Sequence, residues 1–456
     1  MSKTETFKIK QWQVAGPFLC SHPRQNVQID PLIRYGGEAK IIPAPDQVFY
    51  SEQAPSGKVR WRRVDARQSD VIIDYPEIAW NGTTNQFGWL EQVHYSFAWA
   101  SFPVKETTQS LIQTQGVSSF YLNGRRYDGE ATARPGNSIP VTLMGGENTV
   151  LVRTQPVPRE PSNGFSFRII EASTEITAID DLHETPDIII GKKLNNAYAA
   201  VPLANCTDHW IQNSHLKVME DSIFYSTEVE LPPLAPQTTI KVPFQLSMHT
   251  PIAKEQSDDI YALKISIQND TNSLHEMDLP LRIKGIHEPH KITFLSDADA
   301  SVQYFMLIYP LDYDPKKQYS LRIYLHGGGD IAAETMYIIS PKDWAFILAP
   351  TNRRPMGWEW WDFARFNIYE SMELVIDKFP IDPNRIYLTG ASNGGQGTWY
   401  NGLRDPSRFA ALAPNCAWSS YSHHAPRFWD PGDMFAPPEL LHYRDRMMYE
   451  FNNPAF

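Results

Sequence analysis

Arg385-Ile386-Tyr387-Leu388-Thr389-Gly390-Ala391-Ser392-Asn393-Gly394-Gly395 is the stretch on which the reading of this chain turns. A short β-branched and aromatic run leads into Gly-Ala-Ser-Asn-Gly, and a helix-compatible segment follows. A G-x-S-x-G order between a strand and a helix is that of a nucleophile elbow. A serine on such a turn has its Oγ thrown clear of the backbone. The flanking glycines leave room where side chains would collide with the neighbouring strand and helix. Asn393, the next residue, opens the helix, so its N–H is placed to face a developing oxyanion. Ser392 is therefore the candidate nucleophile.

Outward from this turn, residues 289–456 alternate strands with helices. Strands are expected at His290–Ser296, Ser301–Tyr309, Tyr319–Leu325, Trp344–Pro350, Arg385–Gly390 and Phe409–Ala413. Ile368, Met372, Val375 and Phe379 recur at helical spacing, and Gln396–Leu403 continues the elbow as helix. Such alternation predicts a parallel sheet covered on both faces. Tyr319–Leu325 runs into His326-Gly327-Gly328-Gly329, whose glycines leave backbone N–H groups uncovered. Gly327 and Gly328, with Asn393, are the candidate oxyanion donors. Donors fixed in advance contribute about 3 kcal/mol each to acyl transfer. His326 is expected to prop this loop. Trp358, Trp360 and Trp361 are candidates to line a substrate pocket, with burial in the core an equal alternative. Arg353 and Arg354 are expected to pair with Glu359 or Asp362 rather than to steer an anion.

The rest of the chain reads as β. In residues 1–173, strands are expected at Trp12–Phe18, Tyr95–Val104, Ser110–Thr114, Val117–Leu122, Asn148–Thr154 and Phe165–Ile170. Asn123-Gly124 between two such runs is a type I′ hairpin signal. Short strands with turn chemistry between them predict a sandwich or jelly roll. Residues 174–288 carry alternating runs at Ser222–Leu231, Thr238–Met248, Ile260–Gln268 and Met277–Ile283, the pattern of a small Ig-like β-sandwich. No motif in this second module carries chemistry.

Composition excludes several classes. A net charge of -11 argues against a nucleic-acid surface, which needs a basic patch. No run of 18 apolar residues occurs, so no membrane span is expected. The opening Met1–Trp12 has no apolar run of the kind that directs export, which makes the default expectation cytoplasmic. Cys20, Cys206 and Cys416 have neither disulfide-framework nor zinc spacing, and no metal site is expected.

Two resemblances add to this reading. Phe120-Tyr-Leu-Asn-Gly-Arg125 followed by Val141–Val152, with the opening Trp12–Phe18, resembles the galactose-binding-type jelly roll found beside many bacterial hydrolases. The resemblance implies the fold, and carbohydrate binding only weakly. Leu325–Gly329, Ala349–Pro355, Gly357–Asp362, Tyr387–Gly395 and Asp405–Phe409 look like an α/β-hydrolase. They are closest to esterases and peptidases of the prolyl-oligopeptidase-like superfamily that carry N-terminal β modules. This resemblance implies a serine nucleophile at Ser392, an oxyanion hole at Gly327, Gly328 and Asn393, and small-molecule, carbohydrate-ester or peptide substrates. It implies no cofactor.

The family pattern also requires an acid and then a histidine after later strands. From Pro414 to Phe456 there is no Val, Ile or Thr, so two further buried parallel strands are not expected there. The chain reads as shortened relative to the family, with the triad acid and histidine not identifiable. His423, His424, His442, Asp430 and Asp433 read as polar surface residues, with one histidine as a substitute base the alternative. The expected class is thus a jelly roll at 1–173, an Ig-like module at 174–288, and a three-layer, parallel-sheet α/β-hydrolase at 289–456, incomplete. The expected function is ester hydrolysis through a Ser392 acyl-enzyme. The alternatives are a serine peptidase of the same superfamily and a catalytically incomplete binding or scaffold protein.

Overall fold

A computed structural model describes residues 7–19, 30–51, 53–78, 94–129, 137–154, 162–172, 174–179, 182–253, 260–269, 273–328, 331–353 and 360–417. Contacts group into two compact units. One comprises Met1–Leu182, Pro202–Gln212 and Pro232–Ile240; the other comprises His183–Val201, Asn213–Leu231 and Lys241–Phe456.

The first unit is built on two antiparallel sheets. The six-stranded sheet runs in the order Arg62–Asp65, Gln11–Leu19, His94–Val104, Gly146–Thr154, Val117–Leu122, Arg125–Asp128. The four-stranded sheet runs Asn137–Leu143, Thr108–Gln115, Ser162–Glu171, Asp70–Asp74. Alternate side chains of both, among them Trp12, Phe120, Val150, Ile112 and Phe167, meet in one apolar core. The larger sheet is apolar on its other face too. There Phe18, Tyr95 and Phe97 pack under Leu32, Ile41 and Phe49, which explains the near-continuous burial of His94–Val104. Asn123 and Gly124 both adopt positive φ, 51° and 81°, as a type I′ turn requires. They close the hairpin at Leu122 opposite Arg125.

Trp12 joins the two sheets. It is fully buried, with Phe165 edge-on at 5.1 Å and Phe167 at 5.8 Å from the facing sheet. A Trp12→Ala protein is expected to lose about 4 kcal/mol through lost transfer energy and the cavity left behind. The urea midpoint of this unit measures it, and an unchanged midpoint would show that the sheets do not depend on this contact.

The second unit contains a five-stranded sheet in the order Ile188–Ile189, Ser273–Lys284, Ile260–Asn269, Ser214–Val218, Thr227–Glu230. A six-stranded sheet follows in sequence: β1 (His290–Leu295), β2 (Val302–Ile308), β3 (Tyr319–Leu325), β4 (Ala345–Pro350), β5 (Ile381–Ala391) and β6 (Ala411–Asn415). Its helices are α1 (Ala332–Met336), α2 (Phe363–Lys378) and α3 (Asn393–Arg404). The strand order is β1-β2-β4-β3-β5-β6.

His290, at the start of β1, is fully buried. Its Nδ1 lies 3.1 Å from the Glu288 carbonyl, and burial pushes its pKa down to about 4 from 6.5. Between those values the unfolded chain binds a proton that the folded chain refuses. Stability from this group is therefore complete above about pH 6.5 and is lost as the pH falls towards 4, by roughly 3 kcal/mol in all. Denaturant melts at pH 7 and pH 4.5 measure the loss, and His290→Phe is expected to flatten it.

The expected fold class is corrected by this structure. Strands dominate the described residues, most of them antiparallel. The sheet of residues 290–415 is mixed, not parallel: β1 pairs β2 and β2 pairs β4 antiparallel, and only β4-β3-β5-β6 is parallel. One face is covered by α2 through Ile368, Met372 and Val375. The opposite face has only the five-residue α1, against Met306, Ile308, Ile347 and Ala349, so a full third layer is not formed among the described residues. The physical reason is the connections. No helix separates β1 from β2 or β2 from β3, and a parallel neighbour needs a long crossover that these links do not supply.

Candidate active site

Leu325 of β3 lies opposite Gly390 of β5 in a parallel pair. Both strands therefore release their next residues at the same sheet edge, which brings His326–Gly328 to Ser392 and Asn393.

Ser392 has φ 55° and ψ -117°, a backbone state that costs about 1–3 kcal/mol and persists only where neighbours enforce it. Its N–H donates to the Asn415 carbonyl of β6 at 2.9 Å, and its carbonyl accepts the Gln396 N–H at 3.0 Å. Close approach enforces the rest. A Cβ on Gly394 would overlap the Leu325 carbonyl oxygen and sit 2.7 Å from that of His326. A Cβ on Gly390 would overlap the Gly394 oxygen and sit 2.7 Å from that of Leu325. The turn thus presses β3, β5 and α3 together through backbone alone. Ser392 is left exposed at the head of the twelve-residue α3.

The candidate oxyanion residues converge. A Cβ on Gly328 would lie 3.8 Å from both Cβ and Nδ2 of Asn393. His326, buried, has Nδ1 2.9 Å from the Gly327 carbonyl. A carbonyl only accepts, so Nδ1 carries the proton. Gly329 lies outside the described residues.

The tryptophans separate. Trp360 is fully buried in the core with Leu325, Ile368 and Leu388. Trp361 is half-buried, with its ring 6.3 Å from that of Tyr400. Trp358 lies outside the described residues, as do Arg354 and Glu359. Arg353 is held by Asp299 at 2.7 Å and Glu370 at 3.6 Å, carboxylates remote in sequence that no local spacing announces. Asp405, at the end of α3, accepts from Arg365 at 2.5 Å and from Tyr369 at 2.6 Å. Burial pushes its carboxyl up, but these two bonds outweigh it and hold it below the usual range.

Among the described residues no histidine hydrogen-bonds the Ser392 hydroxyl, and no group of three metal-ligating side chains occurs. His423, His424, Asp430, Asp433 and His442 lie outside the described residues. Sequence reading missed two participants: Asn415, whose carbonyl holds the Ser392 N–H, and Asn401, which donates to the Trp360 carbonyl at 2.9 Å. Neither has a local signal, because each acts through a backbone carbonyl distant in sequence.

No family model matches the chain. A protein of Arthroderma benhamiae described as an uncharacterized secreted protein is 22% identical over 483 aligned residues, covering 97% of this chain and 50% of that protein. The chain thus spans about half the length of this curated relative. The cytoplasmic default is corrected by it, since the relative is secreted; an opening without an apolar run is the lack of one signal and fixes no compartment. No helix among the described residues is long and apolar enough to cross a membrane.

Solved structures similar to parts of the chain include a fluorophosphonate-binding serine hydrolase of Staphylococcus aureus. It is 17% identical, covers 29% of this chain and 58% of that one, and has a TM-score of 0.26. A thermostable esterase is 18% identical, with 59% and 89% coverage and a TM-score of 0.25. A ferulic acid esterase from Anaeromyces mucronatus is 19% identical, with 26% and 54% coverage and a TM-score of 0.23. At these scores the likenesses carry no argument about this chain's chemistry. Serine hydrolases and esterases are thus among the solved structures it partly resembles, as is an exo-β-D-glucosaminidase, 11% identical, with 65% and 35% coverage and a TM-score of 0.31.

Proposed function

We propose that this chain carries the nucleophile of a serine hydrolase that cleaves esters of small molecules, acyl groups on carbohydrates among them. Residues 289–456 would hold the chemistry, behind β modules at 1–173 and 174–288. The observation that carries the reading is Ser392 itself: an exposed serine held at φ 55° between a parallel strand and a helix. Proteins retain such strain where it serves a site.

In this reading Oγ of Ser392 attacks the ester carbonyl, and its proton passes to a general base. The carbonyl oxygen becomes an oxyanion facing the N–H groups of Gly327, Gly328 and Asn393. Collapse expels the alcohol, which takes the proton, and water then hydrolyses the acyl-enzyme. Of the three candidate tryptophans, Trp361 is the one described and outside the core, and it remains the candidate for an acyl pocket. The test is incubation of the full chain with a fluorophosphonate probe, followed by peptide mapping. A label on Ser392 supports the reading. A chain that takes no label favours the binding or scaffold alternative.

A further inference from the structure

Two peptide planes decide where the candidate oxyanion donors point. The N–H of Gly327 belongs to the peptide whose carbonyl is that of His326, and the N–H of Gly328 to the peptide whose carbonyl is that of Gly327. In a trans peptide the C=O and N–H are antiparallel, so whatever holds the carbonyl aims the N–H the opposite way. Both carbonyls are held. Trp360 Nε1 donates to the His326 carbonyl at 3.1 Å. His326 Nδ1 donates to the Gly327 carbonyl at 2.9 Å. The His326 ring is in turn held by the Trp360 ring, centroids 4.8 Å apart and edge-on.

Trp360 is itself clamped to α3. A Cβ on Gly397 would lie 2.5 Å from Trp360 Cγ, so the indole occupies the space that a side chain there would need. Asn401 donates to the Trp360 carbonyl at 2.9 Å, and Trp360 has φ 66°, a conformation that its backbone partners must impose. One buried side chain therefore spans from α3, whose N-cap is Ser392, to the first peptide of the glycine loop directly and to the second through the His326 ring. Glycines restrain that loop little by themselves.

We propose that Trp360 is a positioning residue for the oxyanion donors, fixing the Gly327 and Gly328 N–H groups relative to Ser392; this role rests on the Ser392 reading. Trp360 is then not a pocket wall. It acts on the transition state through the loop, leaving the fit of the bound ligand alone.

The test compares wild type with Trp360→Phe in the full chain, using the rate of fluorophosphonate labelling resolved into kinact and KI, alongside the thermal midpoint. Phenylalanine keeps an aromatic ring in the slot and removes the indole N–H. The expected result is a kinact lowered about tenfold or more, with KI within about twofold. A purely structural role would lower the midpoint and leave kinact per folded molecule unchanged, and that outcome overturns the proposal while the Ser392 reading stands. Wild-type protein that takes no label at Ser392 overturns both. Should Trp360→Phe fail to fold, site-specific benzothienylalanine at position 360 replaces the N–H by sulfur at constant shape. The same split of kinact from KI then decides.

Discussion

Ser392→Ala protein is expected to take no fluorophosphonate label and to lose ester hydrolysis by about a millionfold, some 8 kcal/mol of transition-state stabilisation. The loss would be chemical and not structural. Ser392 is exposed, so removal of its hydroxyl is expected to leave no buried partner unsatisfied. Alanine keeps the Cβ, so the strain of φ 55° is unchanged and the urea midpoint is expected to hold. Ser392→Gly separates the two effects. It should be equally inert yet more stable by about 1 kcal/mol, because glycine adopts this backbone without strain. Labelling that survives Ser392→Ala would place the reactive serine elsewhere and remove the basis of the proposed function.

Gly394→Ala is expected to cost about 3 kcal/mol of stability, and labelling at Ser392 should fall by on the order of a hundredfold. The new methyl would overlap the Leu325 oxygen and lie 2.6 Å from its carbonyl carbon and 2.7 Å from the His326 oxygen. Those are backbone atoms of β3 and of the glycine loop, so no side chain can swing away to make room. Relief requires moving the head of α3 from the sheet edge, and Ser392 and Asn393 move with it. Gly328→Ala is the internal control for stability alone, since Gly328 is itself a candidate oxyanion donor. Among the described residues its methyl meets only Asn393, at 3.8 Å, an ordinary contact, so stability should change by less than about 1 kcal/mol. The urea midpoints of both variants, with the labelling rate of Gly394→Ala, decide the matter. Equal behaviour of the two would show that the turn is not packed as described.

What could be read in the residues was local. Asn123-Gly124 specifies a turn because both positions tolerate positive φ. Ile368, Met372 and Val375 share a helix face because 3.6-residue spacing puts them there. Gly390-Ala-Ser-Asn-Gly394 marks a tight strand-to-helix turn, since backbones meet there at distances only glycine permits.

Strand direction was not local. A strand buried on both faces shows the same apolar run whether its neighbour is parallel or antiparallel. The mixed order of β1-β2-β4-β3-β5-β6 was therefore decided by the links between strands and by the packing of α2.

The partners of Arg353, carboxylates at 299 and 370, likewise exist only once the turn between β1 and β2, the end of β4 and α2 are assembled. Trp360 shows the division most plainly. Its place in the sequence, between Glu359 and Trp361, is as compatible with a pocket wall as with the core. The tertiary structure alone closes Gly397, Asn401 and His326 around it. The sequence by itself determined which residue types were available at the elbow and the glycine loop, because turn geometry depends on neighbours along the chain. Which groups hold those elements in register was decided only by folding, because the carbonyls they bind belong to strands far apart in sequence.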